Sequence, residues 1–168
     1  MGTGVLIGRR GAFMQLYFYN ERFRNAIEEY NLTEEQLRFT GTPVDSIKLS
    51  SQDPDRESIL AMEGETLVTF FDLHKNEGAK PFSDNNQAIL VRAFSTDFRH
   101  QGNGYAYKAL MLLPDFVKAH YQDINEIVLA VNLENNAAQS LYKKCGFIDE
   151  GERRMGSKGE LIIMSYHL

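Results

Sequence analysis

The chain has 168 residues, 43% hydrophobic and 24% charged, and its 18 basic and 23 acidic side chains give a formal charge of −5. That size suits one globular domain with a real core, eleven Phe and eight Tyr exclude a disordered chain, and the acidic balance argues against a dedicated nucleic-acid surface. No apolar run approaches the ~20 residues that span a bilayer, so no membrane partner is expected, and the lone Cys145 cannot form an internal disulfide, which fits a reducing cytoplasm.

The opening stretch, Met1 to Arg10, lacks the charged-then-apolar order of a secretory signal. Gly8-Arg9-Arg10-Gly11 is readable as a purine-rich stretch ahead of a start codon. Residues 1–13 are therefore either an upstream extension, with the native start at Met14, or a short first strand or loose tail. The domain itself is expected over residues 14–168.

Met14 to Tyr19 reads as a strand, and Phe23, Ala26, Ile27 and Tyr30 have helical spacing. Thr33 and Gln36 form a capping-box pattern for another short helix, and the Pro-, Ser- and Asp-bearing stretch from Phe39 to Asp55 reads as loop. Ser58 to Met62 and Thr66 to Leu73 flank Glu63-Gly64-Glu65, the pattern of an antiparallel hairpin. After a polar stretch, Ala88 to Phe94 is apolar on both faces except at Arg92, which places it in the middle of a sheet.

Gly104 to Tyr121 carries an apolar stripe one helix face wide, with Pro114 inside it as a predicted kink. Glu126 to Asn132 is a second buried strand, so the helix between the two makes a parallel crossover. Asn135 to Cys145 is another helix, with Ala138, Leu141, Tyr142 and Cys145 on one face and Gly146 as its stop. Phe147 to Asp149 and Leu161 to His167 read as closing strands, with Gly151 to Gly159 as a polar loop between them.

The chemistry concentrates in Arg99-His100-Gln101-Gly102-Asn103-Gly104, between a buried strand and a helix start. Glycines there admit a close ligand, and free N–H groups with the helix dipole favour an anion such as a diphosphate. Gly102-x-Gly104 also begins a dinucleotide fingerprint, but Tyr107 stands where its third glycine belongs, and no phosphate-loop pattern is present. An ordinary glycine-rich turn is the alternative reading.

Arg99-x-x-Gly102-x-Gly104, followed by the strand Ile127 to Val131 and then Asn135-x-x-Ala138-x-x-Leu141-Tyr142-x-x-x-Gly146-Phe147, resembles the GNAT superfamily of acyl-CoA-dependent N-acetyltransferases. The match covers about half the chain, from Ala88 onward. The resemblance implies a single α/β (mixed α+β) domain: a central, mixed, mostly antiparallel sheet whose two parallel middle strands splay apart, flanked by helices. It implies acetyl-CoA as co-substrate. Its pantetheine arm would meet the backbone of Phe94 and Ser95, its pyrophosphate the N–H groups from His100 through Gln101, Gly102, Asn103 and Gly104 beside Arg99, and another part of it Asn135.

By the same resemblance Tyr142 protonates the departing thiolate, although its place on an inward helix face also suits plain core packing. Some members carry a glutamate base on the central strand, and none stands from Ala88 to Leu90 here. Water, or Asp72 or His74 on the preceding strand, is left to take the amine's proton. Arg92, expected on the face of Leu90 and Phe94, is a candidate for an acidic group on the substrate or for a salt bridge. Cys145 reads as a buried filler rather than a nucleophile. The four histidines and Cys145 show no ligand spacing, so no metal is expected.

The function implied is direct acetyl transfer to a primary amine, small or peptidic, in a ternary complex, by a monomer or homodimer. A non-catalytic acyl-CoA-binding or sensor domain is the alternative, and a nucleotide-binding oxidoreductase is disfavoured by Tyr107. Substrate choice is expected to lie with Asn20 to Asp45 and Gly151 to Gly159.

Overall fold

Strand-forming runs dominate the chain, and in the computed structural model, which describes residues 4–6 and 13–168, they assemble into one sheet. Its strands are β1 (Gly4–Leu6), β2 (Phe13–Phe18), β3 (Arg56–Glu63), β4 (Thr66–His74), β5 (Ala88–Thr96), β6 (Glu126–Asn132), β7 (Ile148–Gly156) and β8 (Gly159–His167). The order is β1-β2-β3-β4-β5-β6-β8-β7. Every pairing is antiparallel except β5 with β6, as the two doubly apolar runs joined by a helix require. β8 lies inside the sheet and the charged β7 forms one edge, a composition that discourages edge-to-edge pairing.

Helices cover both faces. The crossover helix α4 (Tyr105–His120) and α5 (Asn136–Lys144) pack Leu110, Leu113, Phe116 and Tyr142 against Ile89, Val91, Ile127 and Leu129. The stripe of α4 is the apolar period read from the sequence, and Pro114 is buried within it. On the opposite face, α1 (Arg24–Glu28) and α3 (Pro43–Ser51) lie over β3 and β4, where Ile27 and Ile47 pack with Leu60 and Phe70. The short α2 (Glu34–Leu37) carries the expected capping box, in which Thr33 and Gln36 satisfy each other's backbone N–H groups.

Two expectations fail. The stretch from Phe39 to Asp55 is not loop, because it contains α3. Thr42 caps that helix through the Asp45 N–H at 3.2 Å, and Pro43 occupies the first turn. Its apolar period is weak because Val44 and Leu49 are half exposed, so the start signal was the only legible one. Gly151 to Gly159 is likewise no loop. β7 and β8 pair down to Gly156 and Gly159 around a tight Ser157-Lys158 turn. The strand was hidden because an edge strand facing water has no apolar alternation to read.

The feature that creates the site is in β5. Its parallel pairing with β6 runs from Ala88–Glu126 to Val91–Leu129 and stops. Ala93 then adopts φ +56°, and Phe71 alone of β4 stands opposite both Ala93 and Phe94. This is a β-bulge, which turns the strand away from its neighbour. It also resets the alternation. Arg92 stays on the face of Leu90, while Phe94 joins the core on the α4 and α5 side, stacked on Phe71 at 5.6 Å. Arg92 and Phe94 therefore do not share a face, contrary to the simple count by twos.

Candidate active site

Where β5 and β6 separate, a cavity of about 710 Å³ opens, walled by Phe94 and Ser95 on one side, Leu129 to Asn132 on the other, and Asn135, Ala138 and Tyr142 of α5 at the back. A second cavity of about 400 Å³ adjoins it and shares Phe39, Arg92, Ala93 and Leu161. Phe39 to Gly41 and the Ser157-Lys158 turn line both or one of them, so both segments expected to govern substrate choice contribute walls.

Tyr142 is buried to 9% exposure, with its ring edge-on to Phe94 at 6.1 Å and to Phe147 at 6.1 Å. It lines the larger cavity, and no hydrogen-bond partner for its hydroxyl is present among the described residues. Burial, with Cys145 nearby, pushes the phenol well above its ordinary value, so it stays protonated at neutral pH. Cys145 closes the end of α5, buried, and burial outweighs the neighbouring Lys144 to push its thiol up to about 11. Such a thiol carries little thiolate.

The loop ahead of α4 is organised by Asp97, which sequence reasoning missed. Its carboxylate is fully buried and accepts from the Asn31 N–H at 3.0 Å, the Arg99 N–H at 2.9 Å, and the Arg99 guanidinium at 3.1 and 2.7 Å. Burial pushes this carboxyl up, but the Arg99 side chain and the two N–H groups prevail and hold it below the ordinary range. The signal was local: an Asp two residues before Arg99 caps the short turn Phe98–His100.

That arrangement narrows the expected anion site. Arg99 is committed to Asp97 and to the Glu29 carbonyl at 2.7 Å. The N–H groups of His100 and Gln101 are occupied within the turn, donating to the carbonyls of Asp97 and Phe98. Among the described residues no acceptor meets the N–H groups of Gly102, Asn103 and Gly104. Gly102 (φ +81°) and Gly104 (φ +77°) hold the left-handed backbone that turns this strip toward the start of the 16-residue α4. A helix N-terminus with free donors suits an anion.

Ser95 and Asn135 have structural duties as well. The Tyr30 hydroxyl reaches the Ser95 carbonyl at 2.8 Å and its Oγ at 2.9 Å, and Gln36 Nε2 donates to the Thr96 carbonyl at 2.7 Å. These two contacts, invisible in sequence because they join residues some sixty apart, fasten the first helices over the end of β5. Asn135 Oδ1 caps α5 through the Ala138 N–H at 3.2 Å while the residue lines the cavity.

Asp72 and His74 do not reach the cavities. Asp72 is fully buried and ion-paired to Arg56 at 2.6 Å, and burial raises its carboxyl despite that partner. Among the described residues its Oδ1 has no hydrogen-bond partner. His74 Nε2 meets Asp53 at 2.8 Å, and its Nδ1 receives Arg92 Nη1 at 3.3 Å. Neither lines either cavity; Asp72 stands opposite Arg92 in the β4–β5 register. Arg92, half-buried, lines both cavities. Away from this cleft, β6, β7 and β8 bring ligand atoms of Glu126, Glu150 and His167 within 4.8 Å of one another, a grouping that chain spacing did not reveal. No helix among the described residues is long and apolar enough to cross a membrane.

The sequence profile of the acetyltransferase (GNAT) family matches residues 17–147. An uncharacterized N-acetyltransferase of Bacillus subtilis (strain 168), YbbJ, is 36% identical over 156 residues, covering 92% of this chain and 98% of that protein. Among solved structures, the aminoglycoside acetyltransferase AAC(6')-Ib in complex with paromomycin and acetyl-CoA superposes with a TM-score of 0.75 at 15% identity, over 92% of this chain and 93% of that one. The spermidine N-acetyltransferase from Vibrio cholerae in complex with CoA and spermine gives 0.68 at 17% identity, over 92% and 95%. At such identities these superpositions speak to the fold.

Proposed function

Since the chain belongs to the GNAT acetyltransferase family, we propose that it transfers acetyl from acetyl-CoA to a primary amine by direct attack within a ternary complex. The observation that carries this reading is the splayed β5–β6 cleft, with Tyr142 in its wall. The free N–H strip at Gly102–Gly104 is the corresponding anion site at the start of α4.

The residues present fit acetyl-CoA as co-substrate. Gly102, Asn103 and Gly104 would hold its pyrophosphate through N–H groups, the β6-facing edge of β5 at Phe94 and Ser95 would run alongside pantetheine, and Asn135 would lie near it. Arg99 acts through Asp97, keeping that loop in shape, and His100 and Gln101 complete its turn. In the reaction the amine nitrogen attacks the thioester carbonyl carbon, the carbon–sulfur bond breaks, and the electron pair leaves on sulfur. An alkylamine of pKa ~10 must first lose a proton, and since Asp72 and His74 line neither cavity, water in the cleft is the carrier. Tyr142, protonated throughout neutral pH, supplies the proton to the thiolate and regains one through cleft water from the attacking nitrogen, which loses a proton as the amide forms. Backbone N–H groups at the Ala93 bulge are the candidates for oxyanion stabilisation.

A non-catalytic acyl-CoA-binding protein is the second reading, favoured by the lack of a carboxylate on β5 facing the cleft. Thermal unfolding with acetyl-CoA, CoA, NADH and ATP, followed by CoA release with and without added amine, separates the readings. Stabilisation by both CoA forms with amine-dependent release is the expected result; a ligand at about 100 times its dissociation constant adds ~2.7 kcal/mol. Stabilisation without release on any amine supports the binding protein, and a response to NADH alone overturns both. The relatives that bind paromomycin or spermine make amines the first class to test.

A further inference from the structure

Resting on the reading of this cleft as an amine-acetylation site, we infer that the acceptor is an amine carrying its own anionic group, a carboxylate or a phosphate, which Arg92 binds in the smaller cavity while Phe39, Leu49 and Phe82 receive an apolar body. The other arginines nearby have carboxylate partners: Arg56 has Asp72 at 2.6 Å, Arg99 has Asp97 at 2.7 Å, Arg154 has Glu152 at 3.3 Å, and Arg38 has Glu134 at 4.0 Å. Arg92 has none within 4.0 Å among the described residues. Its hydrogen bond goes to His74 Nδ1, which must be an acceptor there. The other ring nitrogen, Nε2, lies 2.8 Å from Asp53.

A half-buried guanidinium without a counter-ion is costly. Burial and the neighbouring Arg56 cation both press against its charge, and Asp72, its one anionic neighbour, is bound to Arg56. An incoming oxyanion would satisfy the fork of donors that His74 leaves free. The position fits this role, because Arg92 lies where the two cavities join, immediately before the bulge that opens the acetyl-transfer cleft.

The remaining charge agrees. Arg92, in both cavities, and Lys158, in the larger, have no carboxylate partner among the described residues, and the lining carboxylates Asp45 and Glu35 are both exposed on the outer helices. A polycation such as spermine would meet the Arg92 cation in this pocket. The apolar walls add Phe39 and Leu49, 40% and 50% exposed, which an apolar acceptor would cover.

The test uses matched amines with the full-length protein and acetyl-CoA. L-phenylalanine is compared with phenylalaninamide, 2-aminoethyl phosphate with ethanolamine, and spermine serves as the polycation. The anionic member of at least one pair should show kcat/KM higher by roughly tenfold or more, the range expected for one charged hydrogen-bonded contact, and the pair that shows it tells carboxylate from phosphate. Arg92→Gln should erase that preference, and Arg92→Lys should restore part of it. Where turnover is slow, stabilisation of the CoA-loaded protein by N-acetylphenylalanine or N-acetyl-2-aminoethyl phosphate, each against its uncharged counterpart, reads the same preference in binding. Equal or better use of the neutral amines or spermine, a preference that survives Arg92→Gln, or no preference in either readout overturns the inference. If acetyl-CoA neither binds nor yields CoA with any amine, the acetyltransferase reading itself falls.

Discussion

Arg92 and Phe94 project from opposite faces of β5 although one residue separates them, because Ala93 between them takes a left-handed backbone at φ +56°. That single bulge sends a cation to the smaller cavity and an aromatic ring to Tyr142 on the other face, 6.1 Å away. It also ends the β5–β6 ladder at Val91. Strain of this kind costs on the order of 1–3 kcal/mol and persists only where surrounding packing imposes it.

Substitution at Ala93 should therefore be asymmetric. Ala93→Gly removes the steric penalty but adds freedom to the unfolded chain, so its stability should stay within about 1 kcal/mol of the parent. Ala93→Val places a β-branched side chain in a conformation it tolerates badly and should lose about 2 kcal/mol or more, with acetyl transfer reduced. Urea denaturation of the two variants checks this, and equal stability would mean that the bulge is relaxed in solution.

Removing the Asp97 carboxylate should loosen the anion loop. Asp97→Asn should cost about 2 kcal/mol at neutral pH, since the fully buried charge anchors Arg99 and the Asn31 N–H, and it should weaken stabilisation by CoA as well. The folded carboxyl is held below its ordinary value. Its contribution is thus complete above the unfolded value of ~3.9 and disappears as pH falls through the lower folded value. The deficit of the variant should be constant from about pH 6 to 8 and shrink only below about pH 4; a deficit that persists in acid would point to lost packing instead.

Tyr142→Phe should lower kcat by about a hundredfold, the lower range for a general acid, while leaving acetyl-CoA binding and folding stability nearly unchanged. The hydroxyl has no protein partner among the described residues, so its loss breaks no internal hydrogen bond. Because burial raises the phenol, turnover of the parent should show no loss from Tyr142 ionisation below about pH 10. A variant with parental kcat would return Tyr142 to the core.

Cys145 should resist alkylation. With its thiol pushed up to about 11 and the side chain buried, iodoacetamide at pH 7.5 should leave the native protein unmodified by mass spectrometry while labelling the urea-unfolded chain fully. Rapid native labelling would reopen a covalent route.

By itself the sequence determined the strand–helix–strand unit, the capping box at Thr33, the glycine turn before α4 and the helix bearing Tyr142. Each depends on neighbours within a turn or two, where period, caps and glycine positions act. Amphipathic patterning also placed Ala88 to Phe94 and Glu126 to Asn132 at the sheet centre, because only strands covered on both faces are apolar throughout. What the chain order left undecided were α3 and β7, whose exposed faces carry no apolar period, and everything that depends on residues far apart meeting. The pairing of Arg56 with Asp72, the hold of Tyr30 on Ser95 and the contact of His74 with Arg92 are of that kind. Asp97 was visible as a letter, but its burial against Asn31 was not. The tertiary structure also decided that counting by twos fails at Ala93, since a bulge is imposed by the strands on either side rather than by the residue that adopts it. The face on which Arg92 stands, and hence the charge of the smaller cavity, follows from that packing.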